Sequence, residues 1–347
     1  MLSELIDTRR ALWQREAELA AGVPVVAHPE EQRHLAARLR AVLKAGAESV
    51  GASAAALYML DEATTPLILA AGGTRPADNA EVYRAALDHL EKYEYAPRVL
   101  FTFTTSDGQK IDGYLIKPID FDSLQSYPLI MAVYGGPGSQ GVYNTFETSG
   151  WNQYLAQQGY VIANINNRGN GGYGSAFEKV VYKQLGKWET NDFAEAALYL
   201  SEKPWIDGDR IGIMGHSYGA YSAGMSLLLH PDVFKAGIVT AAPADQRNYD
   251  CIYTERYMTT PQENPSGYDE NSPINHAEKL KGDYLLIHGG GDDNVHLQNT
   301  MRMVEALVQA NKQFDWAIYP DRNHGIYGGN TRLHLYTMMT DFIKEKL

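Results

Sequence analysis

Residues 215–219 read Gly-His-Ser-Tyr-Gly, and no other stretch constrains the fold as strongly. Ahead of it lies the apolar run Arg210–Met214, which reads as a buried strand; behind it lies Ala220–His230, rich in Ala, Ser, Met and Leu, which reads as a helix. Strand, Gly-x-Ser-x-Gly, helix is the pattern of a nucleophile elbow. The turn is tight enough to force Ser217 into sparsely allowed backbone space, and flanking glycines leave room because they lack a Cβ. Ser217 Oγ is then expected at the carboxyl edge of a sheet. The N–H of Tyr218 is expected near the start of a helix, aimed where negative charge would gather on a reacting oxygen.

With 347 residues, 44% of them hydrophobic, the chain is long enough for one large domain and a small one. Its formal charge of −12, from 30 basic and 42 acidic side chains, argues against nucleic acid or an anionic membrane as partner. The single cysteine, Cys251, excludes an internal disulfide framework and reads as a small core residue. No apolar run reaches the length of a bilayer span, and Met1–Arg10 is charged where a secretion signal needs an apolar stretch. The expected location is the cytoplasm.

Residues 1–48 are charged and helical in pattern, with Leu2, Leu5, Ile6, Leu12, Trp13 and Leu19 as a loose stripe and Leu35, Leu39 and Leu43 on one face of a second helix. Two short strands, Ala55–Asp61 and Leu67–Ala70, flank the turn residues Glu62–Pro66. Helix, helix, hairpin resembles the first half of a GAF-type sensor domain, mainly around Gly51–Ala71; a small helical cap with a hairpin fits the same pattern. Gly72-Gly-Thr-Arg-Pro76 punctuates the chain and divides it into residues 1–75 and 76–347. After a helix over Asn79–Tyr93, Val99–Thr104 and Lys110–Lys117 form an antiparallel hairpin. Short apolar runs at Leu129–Tyr134, Tyr160–Asn164, Arg210–Met214, Ala236–Thr240, Tyr284–His288 and Phe314–Tyr319 then alternate with helical stretches. That order implies a mostly parallel sheet with helices on both faces.

A serine hydroxyl needs a general base, and the base needs a carboxylate to orient it. Folds of this layout supply them in the chain order Ser, Asp or Glu, His. The strand Tyr284–His288 runs into Gly289-Gly-Gly-Asp-Asp-Asn294, and Asp321-Arg-Asn-His-Gly325 follows the next strand. Of ten histidines, His324 alone combines position, a following glycine and chain order. His230 ends a helix, where a cation is favoured; His288 reads as buried and hydrogen-bonded; His216 lines a cleft or packs. Pattern leaves Asp292 and Asp293 undecided. Tyr134, opening Tyr-Gly-Gly-Pro-Gly after a strand, is placed to offer a phenolic donor. Gly169-Asn-Gly-Gly-Tyr-Gly174 has the form of a dinucleotide fingerprint, but a long polar helix over Phe177–Leu200 stands where the next strand and acidic residue belong, so it reads as a loop near the cleft. His288 and His296 beside the aspartates fit no familiar metal-ligand spacing.

From about residue 78 onward the chain resembles the catalytic domain of the prolyl oligopeptidase family, in its dipeptidyl peptidase IV branch. The segments that carry this are Thr104–Gly108, Lys117–Asp122, Tyr134–Ser139, Asn167–Gly169, Gly215–Gly219, Tyr253–Met258, His288–His296 and His324–Ile326. The resemblance implies an α/β-hydrolase fold with Ser217, Asp292 and His324 as catalytic triad. It implies an oxyanion hole from Tyr134 and the Tyr218 N–H. Tyr249 and Tyr253 would wall a pocket for proline or alanine, with Asn294, which holds the preceding carbonyl, and Val295 in the same substrate-binding region. The implied activity is hydrolysis of short peptides after Pro or Ala, of the dipeptidyl peptidase type, with no cofactor and no metal. Relatives dimerise partly through C-terminal helices, so a homodimer is an expectation. Three departures stand out: His216 and Gln246 where relatives have aromatic residues, and no resemblance of residues 1–75 to the large β-propeller that precedes the hydrolase in relatives. A promiscuous esterase with an open cleft and a non-catalytic sensor or binding module remain as alternative readings.

Overall fold

Strands covered on both faces are apolar at successive positions rather than at alternate ones, and the sheet built here follows that rule. The structure, a computed structural model, describes residues 94–145 and 149–347, and the backbone of residues 55–59 and 67–71. The chain divides into two compact units, Met1–Tyr93 and Glu94–Leu347. In the first, β1 (Ala55–Met59) pairs antiparallel with β2 (Leu67–Ala71), the hairpin expected from the sequence. The helices expected over 1–48 and 79–93, the rest of the GAF-like pattern and the division at 75/76 lie outside the described residues.

The second unit holds an eight-stranded sheet of β3 (Arg98–Thr104), β4 (Lys110–Ile116), β5 (Tyr127–Val133), β6 (Val161–Ile165), β7 (Ile206–His216), β8 (Ala236–Thr240), β9 (Asp283–Gly289) and β10 (Asp315–Tyr319). Their spatial order is β10-β9-β8-β7-β5-β6-β4-β3. Only β4 runs against the rest: it pairs antiparallel with β3 and β6, and every other pairing is parallel. This is the α/β-hydrolase fold.

Because side chains alternate across a strand, each strand feeds two cores. Leu129, Met131 and Val133 of β5, Ile211 and Ile213 of β7, and Leu286 of β9 pack on one face. There they meet α3 (Lys187–Ser201) and α4 (Tyr218–Leu229) through Phe193, Ala197, Ala220 and Ala223. Ile130, Met214, Ile238 and Ile287 point the other way, onto α1 (Gly150–Gln157) and α8 (Thr331–Lys346) through Leu155, Leu335, Met339 and Phe342. No described helix is long and apolar enough to cross a membrane.

The structure corrects three expectations. The helix expected over Phe177–Leu200 is broken: a short α2 (Ser175–Lys179) ends before a turn, and α3 starts after Gly186. Gly186 has φ 96°, and the Tyr221 hydroxyl packs against it so closely that a side chain would collide. That hydroxyl lies 2.8 Å from the carbonyl oxygens of both Leu185 and Asn271, which share its one proton, so the break is tied to the core. Cys251 is exposed rather than buried. It is the first residue of α5 (Cys251–Met258), and the buried residues of that helix, Thr254 and Met258, come only in its later turns. His230, at the end of α4, is held below the usual imidazole range by burial, which opposes a cation there.

The elbow glycines are required by close approach. A Cβ on Gly219 would strike the Val133 carbonyl and Tyr134 Cα; one on Gly215 would strike the Gly219 backbone. A Cβ on Gly150, in the first turn of α1, would meet no atom of the described residues within 4 Å. Gly219→Ala is therefore expected to lower the unfolding free energy by about 1–3 kcal/mol, and Gly150→Ala to change it by less than about 0.5 kcal/mol. Denaturant unfolding measures both, and equal effects would contradict the packing described.

Candidate active site

Parallel strands in register end together, and their loops leave from one edge of the sheet. Val133 lies level with Gly215, His216 with Thr240, Thr240 with Ile287, and Gly289 with Tyr319. Tyr134 follows β5 directly, Ser217 follows β7, Asp292 lies just beyond β9 and His324 just beyond β10. Residues far apart in sequence thus share the carboxyl edge of neighbouring strands.

Ser217 adopts φ 59° and ψ −122°, a conformation that costs a non-glycine residue on the order of 1–3 kcal/mol. It is pinned from both sides. Its N–H donates to the Thr240 carbonyl at 2.9 Å, and its own carbonyl accepts from the Tyr221 N–H at 3.0 Å. Tyr218 is the first residue of α4, so its N–H has no carbonyl within the helix to bond.

The loop after β9 separates the two aspartates. Asp293 is exposed, whereas the Asp292 carboxylate is buried and surrounded by donors. Its Oδ1 accepts the N–H groups of Asn294 and Val295, both at 3.0 Å. Its Oδ2 lies 2.8 Å from His324 Nδ1 and 3.2 Å from His288 Nε2. A carboxylate only accepts, so the neutral His324 ring carries its proton on Nδ1 and leaves Nε2 as a base. His288 Nε2 also lies 2.7 Å from the Val295 carbonyl, and its Nδ1 lies 2.7 Å from Thr300 Oγ1. The carbonyl likewise only accepts, so the His288 proton sits on Nε2 and the Thr300 hydroxyl donates to Nδ1. Burial holds this histidine below the usual imidazole range. His288 is therefore a neutral prop whose Nε2 proton goes to the Val295 carbonyl, with the Asp292 carboxylate 3.2 Å alongside.

Tyr134 is half-exposed, and burial of its hydroxyl pushes the phenol above its usual range, so it stays protonated and able to donate. Its loop is braced from beneath. Asn167 Nδ2 donates to the Gly135 carbonyl at 3.2 Å, and Gly138 N–H to the Gly169 carbonyl at 2.8 Å. The buried Arg168 is locked to Asp192 of α3, with Nε at 2.9 Å from Oδ1. The glycine loop that imitates a dinucleotide fingerprint is thus part of this brace: Gly171 N–H donates to the Ser139 carbonyl.

Tyr249 and Tyr253 stand edge to face, with ring centroids 5.5 Å apart, beside exposed Asn294. The Tyr249 hydroxyl donates to Asn294 Oδ1 at 2.7 Å, leaving the amide nitrogen as the free-facing donor of that side chain. Val295 departs from its expected place among substrate contacts. It is fully buried, and its backbone serves Asp292 and His288 instead. Gln246 is likewise buried and has almost no accessible surface. The ring of His216 lies 4.8 Å from that of His324. Burial first, and the neighbouring His324 second, bring its pKa down to about 4, so it is neutral near pH 7. Among the described residues, no group of three or more His, Cys, Asp or Glu is placed to hold a metal ion.

One buried group escaped the sequence reading. Glu189 of α3 is wholly buried beneath the elbow, where Oε1 accepts from the Tyr218 hydroxyl at 2.7 Å and Oε2 from the Gly186 N–H at 3.0 Å. Nothing local marks it, since its partner in the elbow is 29 residues away.

Comparison with known proteins identifies the relatives of this chain. Residues 146–347, more than half of the chain, match the profile of the prolyl oligopeptidase family. The chain is 41% identical over 235 residues to prolyl endopeptidase FAP of Mus musculus, covering 67% of this chain and 31% of that protein. It is 38% identical over 265 residues to dipeptidyl peptidase 4 of Felis catus, covering 75% and 34% respectively. The crystal structure of Porphyromonas gingivalis dipeptidyl peptidase 4 superposes with a TM-score of 0.76 at 42% identity, covering 85% of this chain and 42% of that one. The chain therefore spans about a third of the length of the curated relatives it matches.

Glu189 yields a pH prediction. Burial raises its carboxyl from an ordinary 4.5 to about 7. The folded state then holds more protons than the unfolded one across that window, so its contribution to stability falls as pH rises from about 4.5 to 7 and levels off above. Glu189→Gln removes this ionisation. The unfolding free energy of the variant relative to wild type is expected to rise across the window, by up to about 3 kcal/mol. A difference that stays constant with pH would contradict it.

Proposed function

Because the chain belongs to the prolyl oligopeptidase family, we propose that it is a serine peptidase cleaving short peptides after proline or alanine, with Ser217, His324 and Asp292 as its triad. The observation that carries this reading is the 2.8 Å contact of His324 Nδ1 with Asp292 Oδ2, on the sheet edge that also bears Ser217.

In this mechanism Ser217 Oγ attacks the scissile carbonyl carbon while its proton passes to His324 Nε2. The carbonyl oxygen takes up the negative charge and is met by the Tyr134 hydroxyl and the Tyr218 N–H. The C–N bond then breaks, and His324 returns the proton to the leaving amine. Water, deprotonated by the same nitrogen, hydrolyses the acyl-enzyme and frees Ser217. Asp292 holds the ring in the tautomer that leaves Nε2 bare and stabilises the imidazolium that forms. Tyr249 and Tyr253 provide flat walls suited to a proline ring or a small methyl group. The Asn294 amide is the donor for the carbonyl of the preceding substrate residue. Homodimerisation is proposed as well, because edge strand β10 and α8 expose Trp316 and Leu333 beside an open groove. Sedimentation equilibrium tests it, and a monomer would contradict it.

A fluorophosphonate probe is expected to label wild type on Ser217 and to leave Ser217→Ala unlabelled. Asp292→Asn is expected to lower kcat by about 10⁴ through the wrong tautomer, and Tyr134→Phe by about 10²–10³ through loss of one oxyanion donor. Gly-Pro and Ala-Pro anilides report these rates. Turnover of a short-chain ester with none of either anilide would favour the esterase reading. Equal labelling of Ser217→Ala would remove the serine mechanism.

A further inference from the structure

Tyr253 and Tyr257 pack against the core on the α3/α4 face of the sheet. On the opposite face, beside the elbow, lies a second recess of about 470 Å³, within the roughly 300–1,000 Å³ usual for small-molecule sites. Its wall includes Tyr134, His216 and Gly325, each part of the catalytic edge or next to it, and Trp151, Arg332 and Tyr336 from α1 and α8. Trp151 and Tyr336 belong to the α1/α8 core, so the recess and the tyrosine pocket flank the elbow from opposite faces.

We propose that this recess receives the residue on the leaving side of the cleaved bond and recognises its free carboxylate through Arg332. The proposal deepens the peptidase reading and rests on it. The acyl part occupies the tyrosine side, and the leaving amine must lie by the histidine that protonates it. His216 and Gly325 carry the recess up to that histidine.

Charge decides what belongs there. The lining contains no Asp or Glu, and Arg332 is its one formally charged side chain, because His216 is neutral near pH 7. Among the described residues Arg332 forms no salt bridge. Its guanidinium donates only to the Tyr336 hydroxyl at 3.2 Å and, at 3.4 Å, to the Gly325 carbonyl. By contrast Arg168, Arg210 and Arg247 are each matched to a carboxylate. A guanidinium has five donors in a fork that fits a carboxylate, and Arg332 holds most of them over a recess without acid groups. The favoured substrates are thus peptides that end shortly beyond the scissile bond.

The test compares cleavage of the Pro–Ala bond in Gly-Pro-Ala and in Gly-Pro-Ala amide, with Gly-Pro anilide as a substrate lacking the leaving residue. Wild type is expected to favour the free acid by about tenfold in kcat/KM, the worth of one charge-assisted contact. Arg332→Gln is expected to bring the acid-to-amide ratio close to one, and Arg332→Lys to retain part of the preference. Because each ratio is taken within one protein preparation, partial unfolding does not alter it. A wild-type ratio of one or below, or an unchanged ratio in Arg332→Gln, would overturn the proposal while anilide turnover leaves the peptidase reading standing. Absence of anilide turnover together with absence of fluorophosphonate labelling would remove that reading, and this inference with it.

Discussion

A serine held at φ 59° between two glycines that admit no side chain is the constraint on which the catalytic edge depends. Gly219 lets α4 approach the end of β5, and Gly215 lets β7 pass Gly219. That contact brings Tyr134 and Tyr218 together, with ring centroids 6.2 Å apart. A larger residue at either glycine would separate the strand end that presents a phenol from the helix that presents an N–H. The unfavourable backbone of Ser217 persists because Thr240 and Tyr221 bond it from either side.

Asp292 organises the other half of the edge. It takes two backbone N–H groups from its own turn and lies in contact with two imidazoles. The division of labour follows from what each histidine faces. His288 is fully buried and bonded at both nitrogens, so it is a fixed prop. His324 is partly exposed and is held at Nδ1, which leaves its other nitrogen for chemistry. Buried carboxylates of this kind stay in place only when their lone pairs are met, and the turn from Asp292 to Val295 meets them.

Most of the sheet was legible in the sequence because strands buried on both faces leave unmistakable apolar runs, as at Leu129–Val133 and Tyr284–His288. The elbow was legible because its geometry requires glycine. His324 could be singled out by its flank and its place in the chain. What remained hidden depends on contacts across the fold. Pattern could not separate Asp292 from Asp293, since the difference lies in which carboxylate turns inward onto Asn294 and Val295 N–H. The break in the helix before α3 depends on the Tyr221 hydroxyl, 35 positions from Gly186 by subtraction (221 − 186). Glu189 looked like one more helical acid, and Cys251 like one more core residue. Only the packing of α3 under the elbow, and the exposed position of Cys251 at the start of α5, decides them.

The central claim is that one sheet edge assembles a nucleophile, its base and two oxyanion donors. A crystal structure of the protein after reaction with a fluorophosphonate tests this most directly, since the phosphonyl group imitates the tetrahedral intermediate. The account predicts phosphorus bonded to Ser217 Oγ, with one phosphonyl oxygen within hydrogen-bond reach of both the Tyr134 hydroxyl and the Tyr218 N–H. An adduct on another residue, or a phosphonyl oxygen directed away from both donors, would contradict it.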